Sequence, residues 1–265
     1  MPRKRKILQR FIEDELKCCF CGGGRPAQTT EHAPPRVFFR NKVRPKGLEF
    51  PCCARCNKKF AQMDQVASFV CITMGGVLAE NYNLDDPYWK KLASGVQNNC
   101  PEVISYLGLS DGEECFIESG GIERLIIRNK LDKRLFREWL NPWSAKQFFA
   151  LWFHHTGTIL GGSDRVWVRW ITNDQLIREG VPEGLLDDIS GPVGLVQGKL
   201  SSADQFLYSY SVNSNDRLGM FVLGAHNSAM VVGLIFPARM ISQFDSNFRE
   251  GELFTTTEFK GICPV

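Results

Sequence analysis

The chain has 265 residues, of which 43% are hydrophobic and 23% charged, the balance of a soluble globular protein with enough apolar content for a sizeable core. No uncharged apolar run reaches the roughly 18 residues of a membrane helix, and the basic start MPRKRKILQRF lacks the apolar stretch of a secretory signal. The formal charge of +3 hides a split: residues 1–60 carry 15 Lys and Arg against 5 Asp and Glu, a net of +10, and residues 61–265 carry 17 against 24, a net of −7. A strongly positive head on a mildly acidic body points to a polyanion partner for the head.

Along the chain, ILQRFIEDEL places Ile7, Leu8, Phe11, Ile12 and Leu16 on one helical face behind the basic arm. Residues 17–60 form a cysteine-rich module with little apolar content of its own. From about Asn57, Phe60, Met63, Ala67 and Val70 recur at helical spacing until Gly75-Gly76. Residues 80–150 are expected to be mainly helical: ERLIIRNKLDKRLFREWL is charged and amphipathic, and SAKQFFALWFHHTG runs from a Ser cap to Gly157. VWVRW and LGMFVLGAHNSAMVVGLIFP then change to strand-like patterns, which predict a small antiparallel C-terminal sheet. The tryptophans at 139, 143, 152, 167 and 170 are expected in the core or an interface, and His154, His155 and His226 in packing, cap or loop roles.

The ten cysteines divide in the same way as the charge. Six fall at 18, 19, 21, 52, 53 and 56, and Cys71, Cys100, Cys115 and Cys263 are scattered. Two Cys-x-x-Cys spacings without a secretion signal argue for a metal in a reducing compartment rather than for disulfides. Cys18, Cys21, Cys53 and Cys56 make a four-thiolate set suited to structural zinc, ahead of an iron–sulfur centre or a redox pair. Cys19 and Cys52 break the two-residue spacing and are read as bystanders. The zinc would clasp the 31 residues between Cys21 and Cys53 and replace a core that so short a module cannot build. With four thiolates it has no open position, so any chemistry belongs to the loop it holds.

That loop contains TTEHAPPR, residues 29–36. One-metal hydrolysis of a phosphodiester needs donors that hold a divalent ion on the phosphate and a base that draws a proton from water. Histidine suits the base and a carboxylate suits a hard ion such as magnesium. The order CCFC, TTEHAPPR, CARCN resembles the HNH endonucleases, the ββα-metal nucleases with a zinc staple, over roughly residues 17–70, about a fifth of the chain. The resemblance implies His32 as general base, and Glu31 and Asn57 as ligands of a catalytic Mg2+ or another divalent ion. The place one turn after Asn57, where many members carry a further histidine, is Ala61, and Asp64 could substitute through water.

Arg36, Arg40, Lys42, Arg44 and Lys46 form a cationic track after His32, joined by Lys58 and Lys59 at the helix start; phosphates are their expected targets. Phe38 and Phe39 are read as core of the small module. The fold expected is α+β: an N-terminal zinc-stapled ββα-metal module with its basic arm (1–75), a mainly helical region (76–160) and a small β-rich C-terminal region (161–265). The resemblance implies a DNA endonuclease acting on duplex DNA, as in phage defence; the alternative is a non-catalytic zinc-stabilised nucleic-acid-binding module. The C-terminal region is the candidate surface for a homodimer or an activating partner. The expected location is the cytoplasm of a bacterium or of a phage host, or the nucleus in a eukaryote, where PRKRK would serve import.

Overall fold

In the computed structural model, which describes residues 3–76, 85–108, 112–119, 122–187, 189–244 and 251–255, the chain opens with helix α1 (Arg3–Glu13). Ile7, Leu8 and Phe11 turn inward while Arg5, Lys6 and Arg10 stay exposed, the division that apolar spacing of three and four residues imposes on a helix. Strand β1 (Thr29–His32) pairs antiparallel with β2 (Glu49–Cys52), with Thr29 opposite Cys52 and His32 opposite Glu49. The chain then enters α2 (Ala54–Gly76). This helix begins three residues before Asn57, because Asn57 N–H already bonds the carbonyl of Cys53 at 3.1 Å. The second thiol pair is thus wound into the first helical turn.

Helix α3 (Pro87–Asn99) starts on Asp86, whose carboxylate accepts from the Tyr88 N–H at 2.8 Å, and the short α4 (Glu102–Tyr106) follows. The mainly helical stretch expected over 80–150 is interrupted next. EECFIES and IERLIIR form β3 (Glu113–Ser119) and β4 (Ile122–Arg128), a two-stranded hairpin. Each is a seven-residue run with strand-compatible residues, and together they satisfy each other's backbone groups, which outweighs the helical propensity of either alone. Helix resumes with α5 (Lys133–Leu135), capped by Asp132, and runs through residues 136–140 into α6 (Asn141–Thr156).

The remaining chain is mainly strand: β5 (Asp164–Thr172), helix α7 (Asn173–Glu179), β6 (Val193–Gly194), β7 (Val196–Gln197), β8 (Leu200–Ser201), β9 (Phe206–Asn213), β10 (Leu218–Ala225) and β11 (Ala229–Pro237). Helix α8 (Ile241–Phe244) and β12 (Glu252–Thr255) complete it. The expected small sheet is instead a six-stranded antiparallel sheet in the order β12-β5-β11-β10-β9-β6. β10 turns into β11 with φ near +50° at His226 and Asn227, the mirror-type geometry that tight hairpins favour.

Helix α6 explains how the layers join. Every residue from Pro142 to Trp152 is buried, so over this stretch the helix has no solvent face. It lies between α2 on one side and strands β5, β11 and β12 on the other. Burial of a side chain the size of Trp143, Phe148 or Phe149 contributes about 1.5–3 kcal/mol each. Close approach is possible because Gly233 on β11 leaves room for the Phe148 ring, which a Cβ there would strike. The helix stops at Gly157, whose φ of +67° only glycine adopts cheaply and whose N–H caps the Phe153 carbonyl at 2.9 Å. The opposite sheet face carries a smaller core of Trp167, Ile171, Val222, Val232 and Phe236 under α7.

The protein is therefore an α+β chain with mixed helices and sheets and a cysteine cluster in its head. Cys263 and part of the 75–100 boundary lie outside the described residues. Among the described residues no helix is long and apolar enough to cross a membrane.

Candidate metal centre and the buried lysine cluster

Cys18 and Cys21 sit on a turn closed by Gly23 N–H to the Cys18 carbonyl and Gly24 N–H to the Cys21 carbonyl, both at 3.2 Å. Cys53 follows β2 and Cys56 lies in the first turn of α2. The four sulfurs all fall within 4.8 Å of one another, and all four residues are buried. Four Zn–S bonds of about 2.3 Å in a tetrahedron place sulfurs roughly 3.8 Å apart, so the donor set fits one structural zinc ion. When bound, the ion cross-links the turn, the strand end and the helix start.

The crowding itself favours a thiolate. Hydrogen bonds from Cys21, then Cys52 and Cys56, hold the Cys18 thiol far below its ordinary range. Cys52 and Cys56, each bonded to Cys18, are pushed far above theirs. The Cys52 thiol donates to the Cys53 carbonyl at 3.4 Å. Cys19 is fully buried, and burial raises its thiol well above the usual value.

Twenty-six residues apart in sequence, Glu31 on β1 and Asn57 on α2 meet: the Asn57 amide donates to Glu31 Oε2 at 2.6 Å. The other oxygen of Glu31 accepts from Lys146 Nζ, also at 2.6 Å. Lys146 projects from α6 and reaches both carboxylate oxygens of Asp64, at 2.8 and 2.9 Å. Its ammonium also lies 4.7 Å from the centre of the Phe60 ring. Lys146 is 0% exposed, Glu31 5% and Asp64 6%.

One ammonium cannot neutralise two buried carboxylates. Burial works against a charged Lys146, but Asp64 and then Glu31 outweigh it and hold the amine above its ordinary range. Burial, reinforced by Glu31, pushes Asp64 up to about 7 even though Lys146 opposes it. Asp64 therefore keeps its proton toward neutral pH more readily than an ordinary carboxyl.

This arrangement overturns the endonuclease expectation. Glu31 and Asp64 do converge, but on the internal ammonium of Lys146, and Asn57 is bonded to Glu31. The only group of three or more Cys, His, Asp or Glu ligands that comes together among the described residues is the four-cysteine cluster. His32 contributes to no such group; it is half-buried beside Glu49 on the neighbouring strand. Among the described residues no ligand group assembles around His32 to hold an ion on a phosphate, and the hydrolase and phage-defence readings fall with the nuclease. Comparison with family models, with curated proteins and with solved structures finds no match for this chain.

The cationic track separates into two kinds of residue. Arg36, Arg40, Lys42, Lys46 and Lys58 are exposed, and Lys59 is half-buried. Arg44 turns inward: its guanidinium donates to the carbonyls of Pro34 (2.8 Å), Pro45 (2.9 Å) and Gly47 (2.7 Å). Burial lowers it to about 10, and its donors are spent on the loop. Phe38 and Phe39 are fully buried; Phe38 stacks on Trp143 with centroids 5.3 Å apart.

Lys146 escaped the sequence reading because its partners lie 82 and 115 residues away. The available signal was a lone charge inside TrpSerAlaLysGlnPhePhe, a stretch otherwise fit for full burial. His226, read as a loop residue, is buried, and its Nε2 lies 2.6 Å from the Phe38 carbonyl. Burial pushes it down to about 4, so near neutrality it is uncharged and donates from Nε2. His155 packs its ring on Tyr210 with centroids 3.7 Å apart.

Proposed function

We propose that this protein is a non-catalytic, zinc-stabilised module that binds nucleic acid through phosphate contacts. The observation that carries the reading is the pairing of a neutralised carboxylate cluster with an exposed cationic loop. Lys146 pairs with Glu31 and Asp64 while Asn57 donates to Glu31, and Arg36, Arg40, Lys42 and Lys46 face solvent just beyond β1. The net of +10 over residues 1–60 supports the head as the grip, and the net of −7 over the rest supports the body as scaffold. On this reading the head keeps the motif order and zinc staple of an HNH-like scaffold without its chemistry.

Phosphate contacts fix position without reading bases, so affinity is expected to depend steeply on salt and weakly on sequence. Fluorescence anisotropy with labelled duplex and single-stranded oligonucleotides across a salt series tests this. A chain that binds neither at low salt contradicts the reading.

A further inference from the structure

The sheet face turned away from α6 carries a cavity of about 510 Å³, within the size range of small-molecule sites. Ile177, Leu186, Leu207, Val222 and Met230 supply apolar walls. Ile177 and Leu186 remain 38% and 45% exposed at positions lining it, which leaves apolar surface facing the space. Three of its polar lining residues are already committed to the head. His226 Nε2 lies 2.6 Å from the Phe38 carbonyl. Gln205 Oε1 accepts from the Arg40 N–H at 2.7 Å. The Asn173 amide donates to the Met74 carbonyl at the end of α2, at 3.0 Å. Asp204 is the one acidic residue of the lining, and both it and Asn227 are exposed.

We propose that this cavity binds a small, mainly apolar molecule carrying an N–H donor, such as an arylamine, and that its occupancy steadies the cationic loop through Gln205 and His226. The apolar walls select the body of the ligand. Asp204 favours a donor or a single positive charge over an anion. The link to the loop is direct, because the residues that line the cavity are the same ones that hold the backbone at Phe38 and Arg40. A ligand that orders those side chains lowers the freedom of the segment between them.

The test uses the full-length zinc-loaded chain and N-phenyl-1-naphthylamine, an uncharged arylamine that brightens in apolar surroundings. One dye per chain is expected to bind with a saturable rise in fluorescence. Ile177→Glu and Leu186→Glu are expected to weaken it by about tenfold or more by placing a charge against the apolar body. Zinc content and thermal midpoint identify any variant that has lost its fold, and the second variant covers the failure of the first. Hydrogen exchange at the amides of residues 38–42 is expected to slow when dye is bound. A rise that never saturates, or equal binding by both well-folded Glu variants, overturns the site. Saturable binding with unchanged exchange at residues 38–42 overturns the coupling. Neither readout involves nucleic acid, so the outcome is independent of the proposed function.

Discussion

The ammonium of Lys146 lies 2.6 Å from Glu31 and 2.8 Å from Asp64, with all three side chains withdrawn from solvent. Three elements that are far apart in sequence, β1, α2 and α6, are joined at this point. The link fixes how the zinc-stapled head sits on the sheet-backed body, and it determines what the carboxylates can do.

Removing one partner of such a cluster leaves uncompensated buried charge. Lys146→Met is expected to destabilise the protein by about 3–5 kcal/mol, read as a lower midpoint in urea unfolding. Adding Glu31→Gln and Asp64→Asn to the Lys146→Met background is expected to recover part of that loss, since no net charge is then buried. A triple variant less stable than the single one would contradict the charge balance.

Asp64 makes stability depend on pH in a direction opposite to most acids. Its folded-state value, about 7, lies above the ordinary 3.8, so the folded state holds the proton more tightly than the unfolded one. Its stabilising contribution is complete below about pH 4 and fades as pH rises through about 7. The stability of the wild type relative to Asp64→Asn is therefore expected to fall between pH 4 and 7. Parallel denaturation curves across that range would refute the raised Asp64 carboxyl.

The thiol cluster separates ligands from support. Cys56→Ser is expected to lose zinc and unfold the head, whereas Cys52→Ala is expected to retain one zinc per chain with lower thermal stability. Metal analysis beside circular dichroism reads both, and zinc retained by Cys56→Ser would overturn the ligand set. Chelation of the wild type is expected to mimic the Cys56 variant.

The cationic loop holds two kinds of arginine. Arg36→Gln and Arg40→Gln are expected to weaken oligonucleotide binding nearly equally for all sequences and to reduce the salt slope by about one per lost contact. Arg44→Gln is expected to act on stability, because its guanidinium holds the carbonyls of Pro34, Pro45 and Gly47. An Arg44 variant that unbinds without destabilising would reverse that assignment.

The parts legible in the sequence are those set by short-range pattern. Cys-x-x-Cys spacing marks the four thiols, three-and-four spacing marks α2, and Gly157 marks the end of α6. Glu31, Asn57 and Asp64 could be placed near one another because the thiols flanking them fix the loop and the helix start. Lys146 could not, because its role rests on contacts that only the docking of α6 creates. The same holds for His226, whose partner Phe38 is 188 residues away. IERLIIR was misread for a local reason: seven residues fit either period, and pairing with EECFIES decides between them.

The central claim is that the head holds nucleic acid without cutting it. Incubating the zinc-loaded wild type and His32→Ala with supercoiled plasmid, duplex and single-stranded oligonucleotides in Mg2+ or Mn2+ tests it most directly, with binding measured in the same samples. The expected result is salt-sensitive binding by both proteins and intact nucleic acid in every lane. Strand cleavage by the wild type that disappears in His32→Ala would contradict the claim.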